Sequence, residues 1–212
     1  MMDYALLSQR CDLVKQRNEY RDSIDINWYK VIKKIKMFPL IVPNDTDLAE
    51  KIISYTNPKL IVLTGGGDVN LNKSKKIESN PRNDVEIKLI DYATKNKIRL
   101  IGICRGQQIL NFYFGGKLSF IGENGGHNKT THEITINYKD INYNNISVNS
   151  FHNYIIKQSD LSKDLIKIGV CNNDNSVEAF KHNKYPIFGI SWHPERNGGE
   201  GYELALKILR GL

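Results

Sequence analysis

The chain has 212 residues, 40% of them hydrophobic, and carries 30 Lys and Arg against 23 Asp and Glu, a formal net charge of +7. That length suits one α/β domain with a full core, read as a single unit over residues 1–212. No run approaches the ~18 apolar residues of a membrane span, and Met1-Met2-Asp3-Tyr4 lacks the basic region that opens a signal peptide. Three widely separated cysteines, Cys11, Cys104 and Cys171, argue against a disulfide framework and fit a reducing cytoplasm. The basic excess is lysine scattered without any block of like charge, which reads as a solvated surface rather than a nucleic-acid groove. No nucleic-acid or membrane partner is expected, although the same balance would suit a phosphorylated small substrate.

Tyr4–Leu7 reads as a short apolar strand and the polar residues 11–21 as a loop. From Asp22 the recurrence of Ile24, Trp28, Val31, Ile32 and Ile35 predicts a helix. Residues 38–42 read as a strand with Pro39 near its start and Pro43 closing it, and residues 45–55 as a helix with Leu48, Ile52 and Ile53 inward. Residues 60–64 are a continuous apolar strand running into Gly65-Gly66-Gly67-Asp68, and a polar loop covers residues 69–82. Asn83, with Glu86 three residues on, makes a capping start for a helix whose inner face is Val85, Leu89, Ile90 and Ala93. Leu100-Ile101 then leads into Gly102-Ile103-Cys104-Arg105-Gly106, with a helical pattern over residues 107–114. This alternation of strands and helices predicts a parallel sheet covered on both faces. Beyond Phe120 come short strand candidates at 133–138, 146–148, 165–170, 176–180 and 187–192, and a closing helix at 199–209.

A strand, a tight turn with Cys104 at its apex and a helix starting at once form a nucleophile elbow with Cys in the place of Ser. Glycines suit a turn that brings backbone against backbone where a Cβ would clash. The helix N-terminus aims free N–H groups and its positive dipole end at the sulfur, which favours the thiolate. Such a nucleophile needs a base, and the base an orienting group. His193 leaves an apolar strand in Ser191-Trp192-His193-Pro194-Glu195. Glu195 can accept from its imidazole, as the carboxylate does in a Ser-His-Asp triad.

The glycine loop at 65–67 follows another strand at its C-terminal end, where open α/β sheets place their sites. Its backbone N–H groups could meet an oxyanion; a phosphate cradle and a plain turn are the rival readings, and the absence of Gly-Lys-Ser/Thr counts against the cradle. His127 and His132 have no Cys or His at metal-ligand spacing, so both read as surface residues and no metal is expected. His182, in Lys181-His182-Asn183-Lys184, reads as part of a solvated turn. Asn149-Ser150-Phe151-His152, between two strands, is equally consistent with a pocket lining and a turn.

Taken in order, Thr64-Gly65-Gly66-Gly67-Asp68, Gly102-Ile103-Cys104-Arg105-Gly106-Gln107-Gln108, Gly115-Gly116, Asn149-Ser150-Phe151-His152, Glu178-Ala179 and Trp192-His193-Pro194-Glu195 resemble the class I glutamine amidotransferases, most of all their γ-glutamyl hydrolase branch. The resemblance implies a flavodoxin-like three-layer sandwich with a mostly parallel central sheet and a smaller set of short strands in the C-terminal half. It implies cofactor-free hydrolysis of a γ-glutamyl amide through a thioester, with a triad of Cys104, His193 and Glu195. The oxyanion hole would be the backbone N–H groups of Gly66 and Arg105. Gln108, Asn149, Ser150, Phe151 and His152 would surround the glutamyl group.

Two features depart from polyamine-type members of that branch: Asn70 is followed by Leu71 rather than Pro, and Tyr154 stands where Gln is usual. Residues 21–28, 149–153 and 192–196 are similar instead to a compact set from capsule and lipopolysaccharide clusters. That similarity implies a small-molecule, nucleotide-linked substrate, a γ-glutamyl amide of cytidine diphosphate, cleaved to glutamate and cytidine diphosphoramidate. Arg10, Arg17, Arg21, Arg82, Arg105 and Arg196 are then the candidates to neutralise its phosphates. The rival expectation is a glutaminase subunit that passes ammonia to a separate synthetase; a synthetase partner is compatible with the sequence but not required by it. A non-catalytic binding protein is a more distant alternative.

Overall fold

This computed structural model describes residues 3–69, 77–139, 141–196 and 199–211. Its first half runs β1 (Tyr4–Leu7), β2 (Arg10–Val14), β3 (Glu19–Ser23), α1 (Asn27–Lys34), β4 (Phe38–Ile41), α2 (Thr46–Thr56), β5 (Leu60–Leu63), α3 (Pro81–Asn96), β6 (Arg99–Ile103) and α4 (Arg105–Tyr113). Its second half runs β7 (Ser119–Phe120), β8 (Asn128–Tyr138), β9 (Ile141–Phe151), β10 (Tyr154–Ile155), β11 (Leu165–Cys171), β12 (Val177–His182), β13 (Ile187–Ile190) and α5 (Glu200–Arg210). Among the described residues one mixed sheet has the order β4-β1-β5-β6-β13-β12-β11-β8-β9. Pairing is parallel from β4 to β13 and antiparallel from β13 to β9.

Alternation along the strands divides the core into two layers. Ala5, Leu7, Leu60, Val62, Ile101 and Ile103 face Trp28, Val31 and Ile32 of α1 and Leu204, Ala205 and Ile208 of α5. Leu6, Ile61, Leu63 and Leu100 face Ala49 and Ile53 of α2, Val85, Leu89 and Ile90 of α3, and Ile109 and Leu110 of α4. The result is the expected three-layer sandwich. The C-terminal strands extend the central sheet, and β8 and β9 run for 11 residues each, well beyond 133–138 and 146–148. Their Asn- and Thr-rich ends lie toward a sheet edge, where partial exposure removes the apolar signal that marks a buried strand.

Several local expectations are corrected. The segment read as a loop at 11–21 lies largely in a two-stranded antiparallel ribbon of β2 and β3, with Asn18 at φ 49° in its turn. The ribbon stands outside the main sheet, so it never acquires a buried, alternating face. Consequently α1 starts at Asn27 rather than Asp22. In α2, Ala49 and Ile53 point inward while Leu48 is 48% exposed. The N-cap of α3 is Asn80, whose side chain accepts from the Asn83 N–H at 2.9 Å, with Pro81 in the first turn. Asn83 and Glu86 are therefore inside the helix and buried.

His127, His132 and His182 are buried, not at the surface. His182 does sit at a turn, but its Nδ1 accepts from the N–H groups of Lys184 and Tyr185 at 2.9 and 3.2 Å while its ring packs on Phe114. Cys11, Cys104 and Cys171 are all free thiols. No helix among the described residues is long and apolar enough to cross a membrane.

Candidate active site

Three neighbouring parallel strands deliver the site. Leu63 of β5 is in register with Gly102 of β6, and Ile103 of β6 with Ile190 of β13. The chain leaving β5 becomes the glycine loop, the chain leaving β6 becomes the elbow, and the chain leaving β13 carries His193. All three emerge at the C-terminal edge of the parallel half of the sheet, the usual place for a site in such folds.

Cys104 adopts φ 51° and ψ −104°, a conformation that costs a side-chain-bearing residue about 1–3 kcal/mol. Its N–H donates to the Ile190 carbonyl at 2.8 Å, and its own carbonyl accepts from Gln108 N–H at 3.0 Å in the first turn of α4. The two elbow glycines are required by close backbone approach. A Cβ on Gly106 would stand 2.1 Å from the Leu63 carbonyl oxygen, and one on Gly102 would stand 2.3 Å from that of Gly106. Cys104 is only 6% exposed, at the head of α4.

His193 Nδ1 lies 2.7 Å from Glu195 Oε1, and both side chains are buried. The imidazole edge and Cys104 converge on Gly65: a Cβ there would stand 2.5 Å from His193 Cε1 and 3.5 Å from Cys104 Cβ. His193 Nε2 is buried without a hydrogen-bond partner in this resting geometry. Burial alone would lower the His193 pKa. The negative charge available at Cys104 and then at Glu195 outweighs it and raises the pKa to about 9.

The glycine loop is held from beneath by a charged cluster that the sequence reading did not assemble. Gly66 and Gly67 take φ of +89° and +72°, which glycine alone adopts freely. Arg82 Nη1 donates to the Gly66 carbonyl at 2.5 Å, and Nη2 donates to the carbonyls of Thr64 and Gly65 at 2.7 and 3.2 Å. Arg82 Nε also donates to Glu86 Oε1 at 2.9 Å, where Ser8 Oγ donates at 2.9 Å. The Arg105 guanidinium binds the other Glu86 oxygen and Asn83 Oδ1. Burial would push the Glu86 carboxyl up, yet Arg105 and Arg82 together hold it below its ordinary value. Burial lowers Arg82 to about 10, with Glu86 opposing. A signal existed in the sequence: Arg82 and Glu86 fall on the same helical stripe as Leu89, Ile90 and Ala93, where a core helix should be apolar.

Four of the residues expected around the glutamyl group have other partners here. Asn149 is hydrogen-bonded to the backbone of His193 through both its amide atoms. Ser150 Oγ donates to the His127 carbonyl at 2.7 Å, and His152 Nδ1 lies 2.8 Å from the Tyr154 carbonyl. Gln108 Nε2 reaches the same carbonyl at 3.5 Å. Phe151 packs edge-on against the His193 ring at 5.7 Å, and the Arg196 guanidinium lies 4.2 Å above Phe151. Gln107, not singled out beforehand, accepts from Ser191 Oγ at 2.8 Å and donates to the Glu178 carbonyl at 3.1 Å, tying α4 to β12 and the end of β13.

Two cavities open beside Gly66 and share Arg10. One, of about 410 Å³, is lined by Arg10, Tyr20, Gly67, Asn80, Arg82 and Arg105 among others. The other, of about 230 Å³, is lined by Trp28, Thr64, Gly65, Glu195 and Arg196 among others. Of the candidate arginines, Arg82 and Arg105 are committed to Glu86, Arg21 pairs with Glu19, and Arg17 lies in the turn of the ribbon. Arg10, paired with Asp12, and Arg196 line the open space. Residues 70–76 of the loop that follows, with the Asn70-Leu71 departure, lie outside the described residues.

Comparison with known proteins shows the family and the fold. The family model described as peptidase C26 matches residues 6–195. The γ-glutamyl-CDP-amidate hydrolase of Campylobacter jejuni is 33% identical over 198 residues, covering 91% of this chain and 90% of that protein. Anthranilate synthase component 2 of Saccharolobus solfataricus is 24% identical, covering 89% and 93%. Among solved structures, a glutamine amidotransferase from Thermotoga maritima matches with a TM-score of 0.63 at 14% identity, covering 92% of this chain and 77% of that one.

Proposed function

The chain belongs to the peptidase C26 family, of the class I glutamine amidotransferase type, and we propose that it hydrolyses a γ-glutamyl amide through a Cys104 thioester. The observation that carries the proposal is the buried Cys104, His193 and Glu195 set gathered around Gly65 at three adjacent strand ends. The Cys104 thiolate attacks the γ-carbonyl carbon, forming the S–C bond. The oxyanion is received by the backbone N–H groups of Gly66 and Arg105, each typically worth about 3–4 kcal/mol in such sites. His193 gives its proton to the departing nitrogen as the C–N bond breaks. It then takes a proton from water, the new O–C bond forms, and glutamate leaves as the S–C bond breaks. Glu195 holds the imidazole in orientation throughout.

The leaving group we propose is a cytidine diphosphoramidate, as in surface-polysaccharide modification. The Campylobacter relative supports this reading, as does the cavity of about 410 Å³ beside Gly66, with Arg10 and Tyr20 among its lining residues. That volume is within the range of small-molecule sites. The test offers γ-glutamyl-CDP-amidate, a γ-glutamyl-polyamine and glutamine side by side. The CDP-amidate is expected to have the highest kcat/KM, by on the order of a hundredfold or more over glutamine. A second reading, a glutaminase subunit working with a separate synthetase, is favoured by the similarity to anthranilate synthase component 2. Slow glutamine hydrolysis that accelerates when a second protein is added would select it.

A further inference from the structure

Behind β9 lies a cluster that the proposed chemistry does not use. His127 precedes β8, His132 is within β8, His152 follows β9, and Glu178 is in β12; all are buried, between 1% and 7% exposed. The His127 ring centroid lies 4.7 Å from that of His132 and 4.9 Å from that of His152. Among the described residues, His127 Nδ1, both His132 nitrogens, His152 Nε2 and Glu178 Oε2 are buried with no hydrogen-bond partner. Buried polar atoms are rarely left this way, and five in one cluster call for a ligand.

The tautomers fit a metal. His152 Nδ1 faces the Tyr154 carbonyl at 2.8 Å, so it carries the proton and leaves a lone pair on Nε2. His127 Nε2 faces the Asp174 carboxylate at 3.1 Å, which leaves the lone pair on Nδ1. A carbonyl or carboxylate behind each imidazole is the usual support of a ligating histidine. His127 Nδ1 then lies 3.6 Å from Glu178 Oε1, and His132 Nε2 lies 3.4 Å from Glu178 Oε2. These contacts are long for hydrogen bonds. The His127 separation is near the roughly 3.3–3.4 Å between ligand atoms around a tetrahedral ion with bonds of ~2.0–2.1 Å. Ligand atoms of His127, His152 and Glu178 lie within 4.8 Å of one another. Among the described residues no Lys or Arg pairs with Glu178, so its buried carboxylate lacks a fixed cation.

We infer that His127, His152 and Glu178 form a site for a divalent transition-metal ion of the zinc class, with His132 against the other carboxylate oxygen of Glu178. Two imidazoles and one carboxylate are a zinc-type donor set. All three ligands are buried, which closes the site to a substrate and makes the ion structural. It ties β12 to β8 and to β9, the strand that carries Asn149 to the backbone of His193 and Phe151 to its ring.

The test strips the purified full chain with a chelator and titrates it with Co²⁺ and then Zn²⁺, in parallel with a Cys104→Ala chain whose catalytic thiol cannot compete. The expected result is one equivalent bound in both chains, with the visible bands of tetrahedral nitrogen–oxygen cobalt, displacement by zinc and a raised Tm. Glu178→Gln, nearly unchanged in shape, should weaken binding by on the order of a hundredfold. Asp174→Asn, which touches no metal, should weaken it by on the order of tenfold and keeps the test usable if Glu178→Gln does not fold. Absence of a cobalt spectrum in the intact chain overturns the site. The intense near-ultraviolet band of thiolate-bound cobalt, lost in Cys171→Ser, would overturn this donor set in favour of His127, His132 and Cys171, whose ligand atoms also lie within 4.8 Å of one another.

Discussion

Asn149 grips His193 by its backbone: the Asn149 Oδ1 accepts from the His193 N–H at 2.8 Å, and its Nδ2 donates to the His193 carbonyl at 2.9 Å. This amide clamp joins β9, in the antiparallel half of the sheet, to the turn leaving β13. Asn149→Ala should therefore lower kcat by on the order of 10- to 100-fold with little change in KM, since a small displacement of the proposed catalytic base is costly. Steady-state kinetics separate the cases. A raised KM at constant kcat would instead assign Asn149 to binding the glutamyl group.

Cys104→Ala should abolish turnover while substrate binding stays measurable by calorimetry. Residual turnover near wild type would remove Cys104 from the mechanism. Glu195→Gln should reduce the rate by less, because orienting the imidazole is one contribution among several.

The His193 pKa of about 9 depends on its negative neighbours, because burial pulls it down. An imidazolium must protonate the leaving nitrogen, so kcat/KM should fall as pH rises through about 9 and the proton is lost. In Cys104→Ala the leading opposing charge is gone, and the His193 pKa should move down. NMR titration of the imidazole checks the sign: an unchanged or raised value would contradict the coupling.

Arg82→Met removes the donor that holds the carbonyls of Thr64, Gly65 and Gly66 and leaves Glu86 with one cation. Breaking a buried pair in this way costs about 3–5 kcal/mol. Denaturant unfolding should register that loss. Arg82→Lys, which keeps the charge but not the fork of donors, should recover part of the stability and little of the rate.

Arg10 stands between the two cavities beside Gly66. Arg10→Gln should raise KM for γ-glutamyl-CDP-amidate while leaving glutamine turnover nearly unchanged. Equal loss on both substrates would place Arg10 in support of the glycine loop rather than of the leaving group.

The parts of this molecule that were legible beforehand are those whose physics is local. Apolar runs at 60–63 and 100–101, the crowded turn at Gly102-Ile103-Cys104-Arg105-Gly106 and the two-residue step from His193 to Glu195 each express their structure within a few residues. Residues 11–21 carry no strand signal because an exposed two-stranded ribbon has no buried face to impose alternation. The burial of His127 and His132 carries no local signal, because polarity in a Gly- and Thr-rich stretch looks like surface until strands from elsewhere close over it.

By itself the sequence determined the layered α/β fold, the elbow cysteine and its histidine–carboxylate partner, since each follows from short-range periodicity, sterics or spacing. Tertiary structure alone decided which groups stand behind them. The Arg82–Glu86–Arg105 cluster under the glycine loop, the Asn149 clamp and the three-histidine pocket around Glu178 join residues up to 51 positions apart. Their partners are chosen by strand order and register, which bring distant side chains into a dry interior where an unmatched charge or lone pair is too costly to leave alone.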